Sequence, residues 1–189
     1  SLVEESKGTL ICEEDSSMEQ PVVSGIMNDK NQAKITIKGV PDQPGIASKF
    51  FTGLAEGNLS VDMIIQNVSD ENYTDISFTV TKEDINKATK IVQELGKLIE
   101  ARDISADPNI CKVSIVGAGM RSHPGVAAKM FSALSNENIN IIMISTSEIR
   151  VSCIIEEKYG ELAVRVLHKV FNMNKAEKNS ALKGNDESI

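Results

Sequence analysis

Apolar and polar positions change period several times along the chain, and each change marks an element. Ala33-Lys34-Ile35-Thr36-Ile37-Lys38-Gly39 alternates with period two, which predicts a half-buried strand. Past the turn Asp42-Gln43-Pro44-Gly45, the residues Ile46, Ala47, Phe50, Phe51 and Leu54 follow helical spacing. Asp42 is expected to cap this helix with Pro44 in its first turn, and Gly57-Asn58 to close it in a left-handed conformation. A strand over 61–66, a hairpin turn at Asp70-Glu71-Asn72 and a strand over 75–81 come next, the last with alternating Ile76, Phe78 and Val80. Ile85, Ala88, Ile91, Val92 and Leu95 mark a second amphipathic helix, and 101–105 a last short strand. The order is β-α-β-β-α-β, a ferredoxin-like unit.

The pattern then returns. At an offset of 80, PGIASKFFTGLAEGNLSVDMI falls without gaps on PGVAAKMFSALSNENINIIMI, with nine of 21 positions identical. The chain is therefore a tandem of two similar units. The second has strands over 112–117, 139–146 and 148–155, and helices over 122–135 and 159–171, the last with Leu162, Val164, Val166, Leu167 and Val170 as candidates for its buried side. No apolar strand follows that helix, yet a spare one, 21–27, precedes the first unit. If the spare strand completes the second sheet, the first unit is an insertion within the second. The expected division is a linker over 1–19, a first domain over 33–105, a second over 20–32 plus 106–174, and a disordered polar tail over 175–189.

Composition narrows the function classes. The 189 residues carry 20 Lys and Arg against 27 Asp and Glu, a net charge of −7, which opposes non-specific binding to nucleic acid or an anionic membrane. Five Phe, two Tyr and no Trp make a poor base-stacking platform, so an RNA-binding module of the same topology is a remote alternative. Cys12, Cys111 and Cys153 are scattered, with no CxxC, and only His123 and His168 are available as histidine ligands, so no metal site is assigned. Free thiols suit a reducing cytoplasm. No apolar run reaches the roughly 20 residues of a membrane span.

The turns carry the candidate chemistry, because this topology has no default function. The loops 39–45 and 117–125 each lead a glycine-bearing turn into a helix N-terminus, where backbone N–H groups and the helix dipole favour a carboxylate or phosphate. Glycine lets a ligand come close. Asp42 beside the first loop suits an ammonium group, which makes a free amino acid a natural ligand; ordinary turn and capping chemistry explains the same residues. Ser145-Thr146-Ser147-Glu148 stands at a turn between strands, as ligand contacts or as turn formers, and Gln66-Asn67 with Ser69 takes the corresponding place, as buried amides that read a ligand or that satisfy strand ends. Asp62 is a charge within an apolar strand, placed on the solvent face or in a pocket. No GxSxG, HExxH or P-loop pattern occurs, GAGMRS lacks the third glycine of a dinucleotide fingerprint, and no catalytic residue is assigned.

VPDQPGIASKFF, IIQNVS, TDISFT, KVSIVGAGMRSHPGVAAKMF and NINIIMISTSEIRVS resemble the paired ACT regulatory domains of aspartate kinase, over roughly residues 8–173. An ACT sensor from another amino-acid enzyme or a regulator is the alternative. The resemblance implies an α+β fold of two ferredoxin-like βαββαβ ACT domains, the first inserted into the second, that pair between chains into eight-stranded antiparallel sheets. It implies an allosteric region, excised or made as a separate β subunit, that itself catalyses nothing. ATP and Mg would serve only the missing kinase domain, and the partners would be that domain or an α subunit. It further implies two effector sites. A threonine-type site would use Asp42, Pro44, Gly45, Ile46, Ala47 and Gln66, completed by Asn140 and Ile141 of the facing domain. A lysine-type site would use Met120, Ser122, His123, Gly125, Val126, Ser147 and Glu148, faced by Val61 and Asp62.

Overall fold

A computed structural model describes residues 22–68, 72–118, 120, 123 and 125–172. The expected linker over 1–19, the tail over 175–189, Ser122 and the hairpin residues Asp70 and Glu71 lie outside the described residues. The elements run β1 (Gly25–Pro41), α1 (Ile46–Glu56), β2 (Ile64–Val68), β3 (Tyr73–Val80), α2 (Ile85–Leu98), β4 (Asp103–Val116), α3 (Val126–Asn136), β5 (Met143–Thr146), β6 (Arg150–Glu156) and α4 (Gly160–Val170). One-turn 3₁₀ helices at Lys82–Asp84 and Glu157–Tyr159 lead into α2 and α4. All strands pair antiparallel in one sheet of order β2-β3-β1-β4-β6-β5.

The four short strands expected at 21–27, 33–39, 101–105 and 112–117 are joined in pairs into two long ones. Gly25–Asp29 of β1 pairs with Lys112–Val116 of β4, beside β6, while Lys34–Lys38 pairs with Asp103–Asp107, beside β3. The polar runs Asn28-Asp29-Lys30-Asn31-Gln32 and Asp107-Pro108-Asn109 read as loops, but the ladder carries them as bulges. Between Asp29 and Gln32 β1 has one residue more than β4, and between Gln32 and Lys34 β4 has one more than β1. Each bulge is held by an Asp side chain: Asn31 N–H donates to Asp29 Oδ1 at 2.9 Å, and Asn109 N–H to Asp107 Oδ1 at 2.9 Å. Pro108 is tolerated in the strand because a bulge needs no ladder donor there.

The bulges also shift which residues face the helices. On β1 the inward positions pass from Ile26 to Ala33, Ile35 and Ile37, and on β4 from Ile104 to Cys111, Val113 and Ile115. Each unit thus keeps its own apolar core. The first is aromatic: the Phe50 and Phe78 ring centroids lie 5.8 Å apart, with Phe51 edge-on to both. In the second, Met130 replaces Phe50 at the repeat offset, and Cys153 lies on β6 where Phe78 lies on β3. On the side away from the helices, hydroxyl pairs bridge equivalent strands, Thr36 with Ser77 at 3.0 Å and Ser114 with Ser152 at 2.8 Å. There the units meet through Met63, Ile110, Met143 and Ile154. Among the described residues no helix is long and apolar enough to cross a membrane.

Burial pushes the Cys153 thiol up to about 12, and burial, then the Glu157 charge, push Cys111 up to about 11, from an ordinary 9.0. Their contribution to stability is therefore present below pH 9 and is lost as pH rises from 9 through 11 and 12. Neither thiol should react with iodoacetamide in the native chain at pH 8, read by peptide mass spectrometry, whereas both should react in denaturant. Native labelling of either at a free-thiol rate would contradict this packing.

Candidate functional site

The two first helices begin in the same unusual way. α1 is capped by Gly45 at φ 91° and α3 by Gly125 at φ 98°, both left-handed, and neither cap makes a side-chain hydrogen bond. Asp42 is therefore not the helix cap that its spacing suggests: the left-handed glycine turns the chain and starts the helix three residues later. The Gly45 and Gly125 carbonyls already accept from Lys49 and Lys129 N–H at 2.9 and 2.8 Å. Ile46 N–H donates to the Gln43 carbonyl at 3.3 Å, and the following first-turn N–H groups have no intrahelical acceptor at the positive end of the dipole. No acidic residue in either first turn neutralises that end. A Cβ on either glycine would meet nothing within 4 Å, so it is the backbone angle that demands glycine, and the space in front stays open.

Among the described residues, the other two loop glycines do something else. A Cβ on Gly39 would come within 2.4 Å of the Arg102 side chain, and one on Gly117 within 1.8 Å of the Val22 carbonyl oxygen. The close approach that these two glycines permit is used by the protein itself. Arg102 is held in place by its N–H bond to the Lys38 carbonyl at 2.9 Å and by stacking over Tyr73 at 3.8 Å.

In front of each glycine-capped helix lies a cavity large enough for a small metabolite. The first, of about 480 Å³, is lined by Pro41, Asp42, Gln43, Pro44, Gly45, Ile46, Ala47, Gln66, Thr74 and Ile76. The second, of about 470 Å³, is lined by Met120, His123, Gly125, Val126, Ala127, Thr146, Ser147, Glu148 and Val151. The repeat relates them: Gly45 with Gly125, Ile46 with Val126 and Gln66 with Thr146 at offset 80, and Ile76 with Val151 at offset 75 beyond the shorter second turn. Each cavity has one carboxylate, but from different places. Asp42 stands in the loop before α1; Glu148 stands in the β5–β6 turn, closed by Ser147 N–H to the Arg150 carbonyl at 2.8 Å. Gln66 and Asn67 are exposed rather than buried, so they do not satisfy strand ends inside the core.

Four site residues are not brought to these cavities within one chain. Asn140 and Ile141 precede β5 and line neither; Val61 and Asp62 lie ahead of β2. The Asp62 carboxylate accepts a hydrogen bond from Lys112 Nζ, which also lies 3.8 Å from Asp29. It borders a separate cavity of about 230 Å³ that shares Thr146 and Ser147 with the second. Thr74, Ile76, Ala127 and Val151 line the cavities without having been singled out from the sequence. The repeat holds the signal for Ala127, which corresponds to Ala47. Among the described residues no cluster of three or more His, Cys, Asp or Glu could hold a metal.

A chain with two β-α-β-β-α-β units, each holding an equivalent cavity before its first helix, has the architecture of a tandem small-molecule-sensing module. The model for the ACT domain matches it twice, over residues 35–95 and 113–171. An aspartate kinase of Stutzerimonas stutzeri (strain A1501) is 54% identical over 94% of this chain, which spans 43% of that relative's length. Among solved structures, that of aspartokinase alpha and beta subunits is 55% identical with a TM-score of 0.75, covering 79% of this chain and 99% of the other. The ligand-free regulatory subunit of aspartate kinase from Thermus thermophilus is 43% identical with the same TM-score and coverages. The chain belongs to the ACT-domain family, as the tandem regulatory region of an aspartate kinase.

Gly45→Ala and Gly125→Ala should each cost about 1–2 kcal/mol, the penalty of a left-handed side chain. Gly117→Ala should cost more, about 3 kcal/mol or above, because its Cβ would lie 1.8 Å from the Val22 carbonyl oxygen and must displace backbone. Urea unfolding of the three variants tests the order, and equal losses would contradict it.

Proposed function

We propose that the two cavities are effector sites for free amino acids, and that their occupancy provides feedback control of aspartate phosphorylation by the whole cytoplasmic enzyme. The observation that carries this reading is the paired geometry: in each unit, helix N–H donors for an α-carboxylate stand opposite one carboxylate for an ammonium group. A zwitterion needs both, and neutral ligands or phosphates need only the first.

The differences between the cavities suggest different side chains. Gln66 projects a long amide where the second site has the short Thr146 hydroxyl, which offers an amide to read a hydroxyl, as in threonine. The second site has Glu148, with His123 and Ser147 beside it, and suits lysine. In this reading Asn140 and Ile141 of a second copy close the threonine site, and Val61 and Asp62 of that copy face the lysine site. Edge strands β2 and β5 of two chains would then pair into eight-stranded sheets. Asp62 would exchange Lys112 for the effector's ammonium. The attached kinase domain or α subunit, using ATP and Mg, would respond because ligand favours one relative arrangement of the domains. The size of that response is the difference in ligand affinity between the two arrangements.

Calorimetric titration of the chain with L-threonine and L-lysine should give heat for at least one of them. Asp42→Ala should weaken threonine about 10- to 100-fold and spare lysine, and Glu148→Gln the reverse, from loss of one charge-assisted bond. No heat with either amino acid, or equal effects of both variants on both ligands, would overturn the assignment.

A further inference from the structure

We propose that the Glu148 cavity passes its occupancy to the backbone of Val22–Ser24 by a direct route, and that the Asp42 cavity has no such route. The inference rests on the reading of these cavities as amino-acid sites and adds which of the two is coupled to Val22–Ser24.

The route starts at the β5–β6 turn. Ile149, next to Glu148, accepts from Gly117 N–H at 3.0 Å. Gly117 has no side chain, and the Val22 carbonyl occupies the position a Cβ would take, with Val23 Cα at 3.0 Å from it. The next residues are tied to the same strand end: Ser24 donates to the Val116 carbonyl from its N–H at 2.7 Å and from its Oγ at 3.2 Å. A second connection runs through packing. Met120 lines the cavity and is 7% exposed, and Val23, at 3%, belongs to the same core cluster. A ligand that moves the Glu148 turn or presses on Met120 therefore moves backbone against Val22–Ser24, because a close-packed interior transmits displacement.

At the equivalent place in the first unit the incoming backbone is Arg102. The gap over Gly39 is filled by its flexible side chain rather than by a carbonyl, and its chain comes from α2, inside the fold. Strain there can be absorbed by side-chain rotation and does not reach Val22–Ser24.

Amide hydrogen exchange of the full 189-residue chain tests this, with calorimetry on the same samples. Saturating L-lysine should slow the Ser24 amide about fivefold or more and leave Arg102 within about twofold. Lysine heat with no change at Ser24 would overturn the route while leaving the amino-acid reading intact; absence of lysine heat would remove both. Gly117→Ala should retain lysine affinity within about threefold and lose the Ser24 response, since the coupling and not the site is altered. If that variant fails to fold, Val23→Ala serves, lying outside the cavity wall. Either variant binding lysine with a full Ser24 response would refute the proposal.

Discussion

The antiparallel pairing of β1 with β4 is the constraint on which the rest depends. Among the described residues these are the only strands that run through both units, and every other strand attaches to one of them or to a neighbour of one. Their two compensating bulges let one continuous ladder present inward residues to two helix pairs in turn. Without the Asp29 and Asp107 side chains holding Asn31 and Asn109, a one-residue slip would turn Ile35 and Ile37, or Val113 and Ile115, away from their cores. Polar contacts cluster beside these bulges: Lys82 with Glu157 at 2.7 Å and Lys112 with Asp62 join the two units, while Lys30 with Glu161 at 2.8 Å lies within the second. The Lys30 pair is exposed on both sides and adds little stability. The units also join through the apolar Met63, Ile110, Met143 and Ile154.

Placing both cavities on one ladder has a functional consequence. Each lies where a strand end, a left-handed glycine and a helix N-terminus converge, so it is built by the fold and not by a mobile loop alone. The two units have kept this convergence while changing what surrounds it. Asp42 in one and Glu148 in the other put the acid on different walls, and Gln66 against Thr146 changes the polar group the wall offers. Duplication followed by such exchanges is a direct physical route to two sensors of related ligands in a single chain.

Much of this was legible before any coordinates. The repeat paired the two first helices, although both begin later than expected, at Ile46 and Val126; the period changes located the helices, and the count of strands pointed to one missing from the second unit. What could not be read was continuity. Asn28 to Gln32 and Asp107 to Asn109 have turn composition, and only the pairing shows that they remain in the ladder. Asp42 has the ideal spacing and chemistry of a cap, yet Gly45 takes that place, because glycine's tolerance of a positive φ does not show in a propensity pattern. The occupants of the gaps over Gly39 and Gly117, Arg102 and Val22, are distant in sequence, and no local signal announces them. The cavity walls divide the same way. Residues on the loops and helix starts carry motifs, whereas Thr74, Ile76 and Val151 are strand residues distinguished only by where the sheet puts them.

The central claim is that one chain holds two equivalent cavities with distinct amino-acid ligands. Backbone amide NMR of the labelled chain, titrated with L-threonine and then L-lysine, tests it most directly. The account predicts that threonine moves the Gly45, Ile46 and Ala47 amides, that lysine moves those of Gly125, Val126 and Ala127, and that each ligand leaves the other set in place. One set moving with both ligands, or shifts confined to residues outside both helix N-termini, would contradict it.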